Sequence, residues 1–199
     1  MNSRILLLLF LIGVLQKKHR TTSKMKKKNS DKYVVRDIFL DEFSFLIDQY
    51  DFSLIKKEVD SWFTKVKYAN KCCVITLYYE VKDFDFNVII SQLVDGKEVH
   101  HSGSFFIHED DAFYEHSLHD VVDLLSPEDR ACYDEKKGLR NYIAKLASNL
   151  KKFGPPFFSG DFSLFPSLDK IVIARVMEWN KEWGYTSENI PQGLIKDDE

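Results

Sequence analysis

The stretch Cys72-Cys-Val-Ile-Thr-Leu-Tyr-Tyr-Glu80, continued by Phe84-Asp-Phe-Asn-Val-Ile-Ile90, Val94-Asp-Gly-Lys-Glu-Val99 and Ser104-Phe-Phe-Ile107, decides the fold. β-branched and aromatic residues dominate it, and its breaks fall at Lys82-Asp83 and Asp95-Gly96. Asp-Gly between two extended runs signals a two-residue type I′ hairpin, because both central positions need φ > 0. Phe84, Phe86, Val88 and Ile90 alternate with Asp85 and Asn87, which predicts one apolar strand face and one largely wet face. Such an antiparallel meander needs a cover for its apolar face, and the helices that follow supply one.

Working back from the sheet, Phe52–Val59 and Trp62–Tyr68 read as two further strands with Asp60-Ser61 as their turn. Val66 and Tyr68 alternate with Lys65 and Lys67, which places the lysines on the wet side. Phe39, Phe43, Leu46 and Tyr50 approximate one helical stripe and predict a short helix over 40–49.

Working forward, five of the six histidines lie between His100 and His119, interleaved with Glu109, Asp110, Asp111, Glu115, Asp120 and Asp123. If a helix carried both His116 and His119, their i, i+3 spacing would let them reach one metal ion, with Asp120 beside them. A metal-assisted hydrolase would use such a site. The competing reading is structural: Ser117 caps a helix whose apolar stripe is Leu118, Val121, Val122 and Leu125, and 109–115 is a solvated loop. No HExxH and no Cys-x-x-Cys accompanies the cluster.

Ser126-Pro-Glu-Asp129 predicts a helix start, running to Lys137-Gly138, with Cys132 packed beneath it. Leu139, Tyr142, Ile143, Leu146, Ala147, Leu150 and Phe153 then give four turns of amphipathic helix. Gly154 is the expected left-handed cap, and Pro155-Pro156 forbids continuation. A last helix carries Leu168, Ile171, Val172, Arg175, Val176, Trp179 and Trp183 on one side, and Asp161 and Ser163 read as local capping residues.

The bulk numbers agree with one soluble domain. The chain has 199 residues, net charge −3 and 14% aromatics, sixteen of them Phe. It is long enough for a core without disulfides, and no basic excess points to nucleic acid. Cys72 and Cys73 are neighbours on a strand, so reduced thiols in a cytoplasmic setting are expected for the three cysteines. Ile5–Leu15 is an apolar run followed by Lys and Arg. Eleven helical residues reach about 17 Å, short of the ~30 Å hydrocarbon core. Met25-Lys-Lys-Lys reads as an alternative start; a weak anchor and an export signal are the other readings of residues 1–24.

Two stretches resemble small, mostly uncharacterised bacterial α+β proteins of immunity-protein type. Phe45-Leu-Ile-Asp-Gln-Tyr-Asp-Phe52 is similar to their Phe-Leu-x-x-x-Tyr-Gly-Phe opening, with Asp51 in place of the Gly. Leu150-Lys-Lys-Phe-Gly-Pro-Pro-Phe-Phe-Ser-Gly-Asp-Phe-Ser-Leu-Phe165 is similar to their closing helix and turn, with Phe153 in place of a Tyr. The matching residues are turns and caps, so the resemblance implies a fold and a toxin-inhibiting role but no active site.

The expectations are therefore an α+β domain over 30–184, flanked by an apolar and basic segment at 1–29 and a polar tail at 185–199. A four- to six-stranded antiparallel meander carries a short N-terminal helix and three C-terminal helices on one face. The expected function is non-enzymatic protein binding, as an immunity-type inhibitor, with a basic toxin domain as partner. The expected contact residues are Glu109, Asp110, Asp111, Phe113, Tyr114 and Glu115. No cofactor and no nucleic acid is expected, and a membrane only if residues 5–15 serve as an anchor. The alternatives are a metal-dependent hydrolase at His116, His119 and Asp120, and a structural domain without a discrete ligand.

Overall fold

The computed structural model of the chain describes residues 34–82, 85–99 and 112–182. Its centre is an antiparallel sheet: β1 (Ser53–Val59), β2 (Phe63–Ala69), β3 (Cys73–Glu80), β4 (Asp85–Val94) and β5 (Lys97–Glu98) in consecutive order. The β4–β5 connection is the Asp-Gly hairpin, with φ of 52° at Asp95 and 74° at Gly96. This is the backbone that a type I′ turn requires. Ser104–Ile107, read as a strand, lies outside the described residues.

Pairing follows the alternation. Val66 faces Leu77, Tyr68 faces Ile75, and Leu77 and Ile75 face Val88 and Ile90. All six are buried, as is Phe86, which stacks on Tyr79 at 4.3 Å between ring centroids. The opposite face departs from expectation, because Val74, Thr76 and Ser91 on it are buried too. The cause is curl. Lys67 on β2 holds both carboxylate oxygens of Glu98 on β5 at 2.8 Å, although two strands lie between them. In a flat sheet those strands would stand ~14 Å apart. The sheet bends into a half-barrel around the small residues of that face.

β1 is an open edge. Its register shifts between Leu54 and Lys56, leaving Ile55 as an extra, exposed residue. Lys56 and Lys57 follow on the same edge, and both are exposed.

Helices cover the other face. Helical residues 34–42 (α1) and Phe45–Tyr50 (α2) replace the single helix expected over 40–49. A turn at 43–44 separates them and lets Phe39, Phe43, Phe45 and Leu46 all reach the core. Leu118–Leu125 (α3) starts where Ser117 caps it, the Ser117 hydroxyl accepting from the His119 N–H at 3.2 Å. The helix expected from Ser126 is instead a single 3₁₀ turn, Pro127–Asp129. The Ser126 hydroxyl turns to the Glu128 and Asp129 carboxylates and caps no backbone N–H. Cys132, expected beneath a helix, is consequently exposed.

The long helix appears as Gly138–Phe153 (α4), burying Ile143, Leu146, Ala147 and Leu150. It is tied to α1 by Arg140, whose guanidinium reaches Asp41 and Glu42. It is tied to the 3₁₀ turn by Lys145 and Lys152, whose hydrogen bonds hold the Asp129 carboxyl well below the usual carboxylate range.

Gly154 is not left-handed: its φ is −76° and ψ −31°. A glycine is needed there for space, since a Cβ would sit 2.4 Å from the Phe158 ring and 2.5 Å from the Leu150 carbonyl oxygen. Pro155–Phe158 (α5) follows directly and buries Phe157 and Phe158. Asn70 fastens this corner to the sheet: its amide donates to the Phe158 carbonyl, and its oxygen accepts from the N–H groups of Cys72 and Cys73. Phe165–Glu182 (α6) is the last of the described elements, with Pro166 in its first turn. Asp161 accepts from the Ser163 N–H at 3.0 Å, the local role read for it.

The architecture is α+β, a curled antiparallel sheet with N-terminal helices and several C-terminal helices. Among the described residues no helix is long and apolar enough to cross a membrane.

Candidate functional site

The chemically richest part of the described chain is residues 112–123, read above as loop and helix start. Glu115–Ser117 in fact form a strand, β6, paired antiparallel with β4: Ile89 faces Ser117, Ile90 faces His116 and Ser91 faces Glu115. The loop expected over 109–115 thus ends in a sheet strand. The Gln92 N–H donates to the Tyr114 carbonyl at 2.7 Å and extends the pairing by one residue.

Strand alternation then separates the candidate residues. His116 points with Ile90 into the core, while Glu115 and Ser117 point the other way. His116 is on β6 and His119 on α3, so the shared helical face that a two-histidine metal site needs is not formed. Among the described residues no group of three or more His, Cys, Asp or Glu is arranged to hold a metal ion.

Of the expected contact residues, Glu109, Asp110 and Asp111 lie outside the described residues. Phe113 is 8% exposed and anchors the segment to the core. Tyr114 is 37% exposed, and Glu115 is half-buried on the side of β6 opposite His116.

His116 is enclosed. Its ring meets Phe165 of α6 edge-on at 4.5 Å, with Phe113 at 6.3 Å. Its Nε2 lies 2.9 Å from Oδ1 of Asp169 on α6, and the same oxygen accepts from the Phe113 N–H at 3.3 Å. The close approach is not matched by angle: neither ring nitrogen of His116 completes a well-formed hydrogen bond. The contact is therefore an electrostatic one between a buried imidazole and a carboxylate. Burial pushes the His116 pKa below its ordinary value, against the opposing pull of Asp169, Asp120 and Glu115.

His119 lies in a different environment, a polar cleft of about 410 Å³ lined by Asn87, Ser117, His119, Asp120, Asp123, Arg130 and Arg175. The Ser117 hydroxyl, while capping α3, also donates to Asn87 Oδ1 at 2.7 Å and so joins the two walls. Asp120 and Asp123, one turn apart on α3, bind Arg175 of α6 and Arg130 respectively. The Asp120 side chain is only 8% exposed whereas that of Arg175 is 57% exposed, so a guanidinium on the rim neutralises a carboxylate in the wall. Each arginine commits one nitrogen to its aspartate in these pairs and keeps further N–H donors. Tyr142 of α4 places its hydroxyl 3.4 Å from His119 Nε2.

Asn87, Arg130, Asp169 and Arg175 were not among the candidates from sequence. Arg175 carried a usable signal: an arginine inside an otherwise apolar helical stripe implies an acid opposite it. Asp169 sits in the same helix among Leu168, Ile171 and Ile173, and that helix alone does not say which residue it faces. Compared with family models, curated proteins and solved structures, the chain matches none.

Proposed function

We propose that the protein is a non-enzymatic binding module, an immunity-type inhibitor acting on a bacterial toxin domain in the cytoplasm. Its contact face is the segment of Tyr114 and Glu115 together with the cleft beside β6. The observation that supports this reading is the pairing in the cleft. Arg130 and Arg175, both half-exposed, are already positioned by acids of α3, and Tyr114 stands exposed at the other end of β6. Tyr and Arg are the side chains that most often anchor protein interfaces, and groups held in place before binding lose less entropy on association. The acids at Glu109, Asp110, Asp111 and Glu115 favour a basic partner, which they would steer as well as bind.

The test is co-purification with the product of the adjacent upstream open reading frame, followed by affinities for Tyr114→Ala and Glu115→Lys. Each substitution is expected to raise Kd about tenfold, or ~1.4 kcal/mol. A neighbouring product that neither binds nor is inhibited by excess protein sinks the reading.

One observation favours a second reading, the metal-dependent hydrolase: His119 shares the cleft with Asp120 and Asp123. Both carboxylates hold guanidinium counter-ions, which a metal ion would have to displace. Stoichiometric zinc or manganese in protein purified without an affinity tag, lost on His119→Ala, would put this reading first.

A further inference from the structure

We propose that the contact between His116 and Asp169 is an acid-released latch: it holds the segment carrying Tyr114 and Glu115 on helix α6 near neutral pH and lets it loosen on acidification. The proposal rests on the reading of that segment as a contact face and names its regulation. Three observations support it. One carboxylate of α6 takes two contacts from the segment, since Oδ1 of Asp169 meets both the His116 Nε2 and the Phe113 N–H. The His116 side chain is fully enclosed, lying against Phe165 with Phe113 nearby, so a proton added to it brings a charge into an aromatic cage. Its nitrogens form no well-directed hydrogen bond that would spread that charge.

The charged groups that act on His116 are Asp169 from α6, Asp120 from α3 and, from the other side of its own strand, Glu115. All three favour the cation, and Asp120 is offset by its own partner Arg175. Burial outweighs them and lowers the imidazole pKa in the closed segment. Once the segment lifts, the ring meets water and returns to the ordinary histidine value of ~6.5. The open form therefore binds the extra proton between the two values. Below about pH 6.5 each unit of acidification raises the open-to-closed ratio by up to ~tenfold, until the closed-state value is passed.

The experiment is amide hydrogen exchange on the full chain between pH 7.5 and 5.0, corrected for intrinsic exchange rates. The amides of 113–117 are compared with those of 74–78 in β3. In the wild type, protection over 113–117 should fall up to tenfold per unit below about pH 6.5 while β3 holds. In His116→Phe, which keeps an aromatic ring in the cage, the profile should be flat. A histidine-ring titration by NMR in the unsubstituted protein covers the case in which that variant fails to fold, and an unshifted or raised His116 value overturns the latch. So does protection that is constant or rises on acidification, or that falls equally in His116→Phe. None of these measurements needs a partner. A working latch in a protein that binds no toxin removes the contact reading alone, and binding with no pH-dependent opening removes the latch alone.

Discussion

The sheet's helix-covered face and the corner where β6 meets α3 and α6 are equally buried, and they are held by opposite means. Around Phe86, Tyr79, Val88 and Leu146 the packing is apolar: Phe86 stacks on Tyr79 and meets Phe39 and Tyr142 edge-on. In the corner, His116, Asp120 and Asp169 are buried, and each carries or can acquire a charge. The first region gains from every contact and depends on no single one. The second depends on whether each partner is present, because a buried charge without its counter-ion costs more than the pair contributes.

Breaking the apolar side should give the largest effect. Phe86→Ala is expected to cost about 3–5 kcal/mol in denaturant melts, and Leu146→Ala about 2–5 kcal/mol. Either loss below ~1 kcal/mol would mean that the face is looser than its burial indicates.

The corner is sharpened next by Arg175→Ala, expected to cost about 2–3 kcal/mol because it strands Asp120, with partial relief from Arg175's exposure. Adding Asp120→Asn should recover part of that loss. A double variant as damaged as the sum of the singles would deny the coupling.

Gly154→Ala probes the junction of α4 and α5 on the apolar side. Glycine to alanine usually stabilises a helical residue; here the Cβ must push the Phe158 ring or the Leu150 carbonyl, so a loss of about 1–3 kcal/mol is expected.

The smallest effect is one of pH. His116 is depressed in the folded protein, so the unfolded chain takes the extra proton first. Its contribution is whole above about pH 6.5 and declines on acidification by at most ~1.4 kcal/mol per unit, levelling below the folded value. Substituting His116→Phe should remove that slope.

The same contrast governs what could be read from sequence. Phe86, Val88 and Ile90 announce a strand because period-two burial is written locally, and so is the 139–153 stripe. Asp95-Gly96 is equally legible, since a turn needing two positive φ angles leaves few residue choices. β6 is not legible: Glu115-His116-Ser117 becomes a strand only because Ser91, Ile90 and Ile89 lie opposite it, more than twenty positions earlier. Ser126 looked like a cap until its hydroxyl found the nearer acids at Glu128 and Asp129. Gly154 marks the right stop for a reason that needs three dimensions, the Phe158 ring folded back against it. The i, i+3 spacing of His116 and His119 was misleading in the same way, because spacing gives a shared face only after the element is known.

The extra residue at Ile55 has an effect on neighbouring molecules. A seven-residue strand at the end of the sheet order, with no further strand beside it among the described residues, is a template on which further copies can zip. The kink breaks its hydrogen-bonding rhythm, and the two lysines after it put like charge on like in any stack of such strands. In crowded solution, self-association through this side is disfavoured by the geometry of one inserted amino acid.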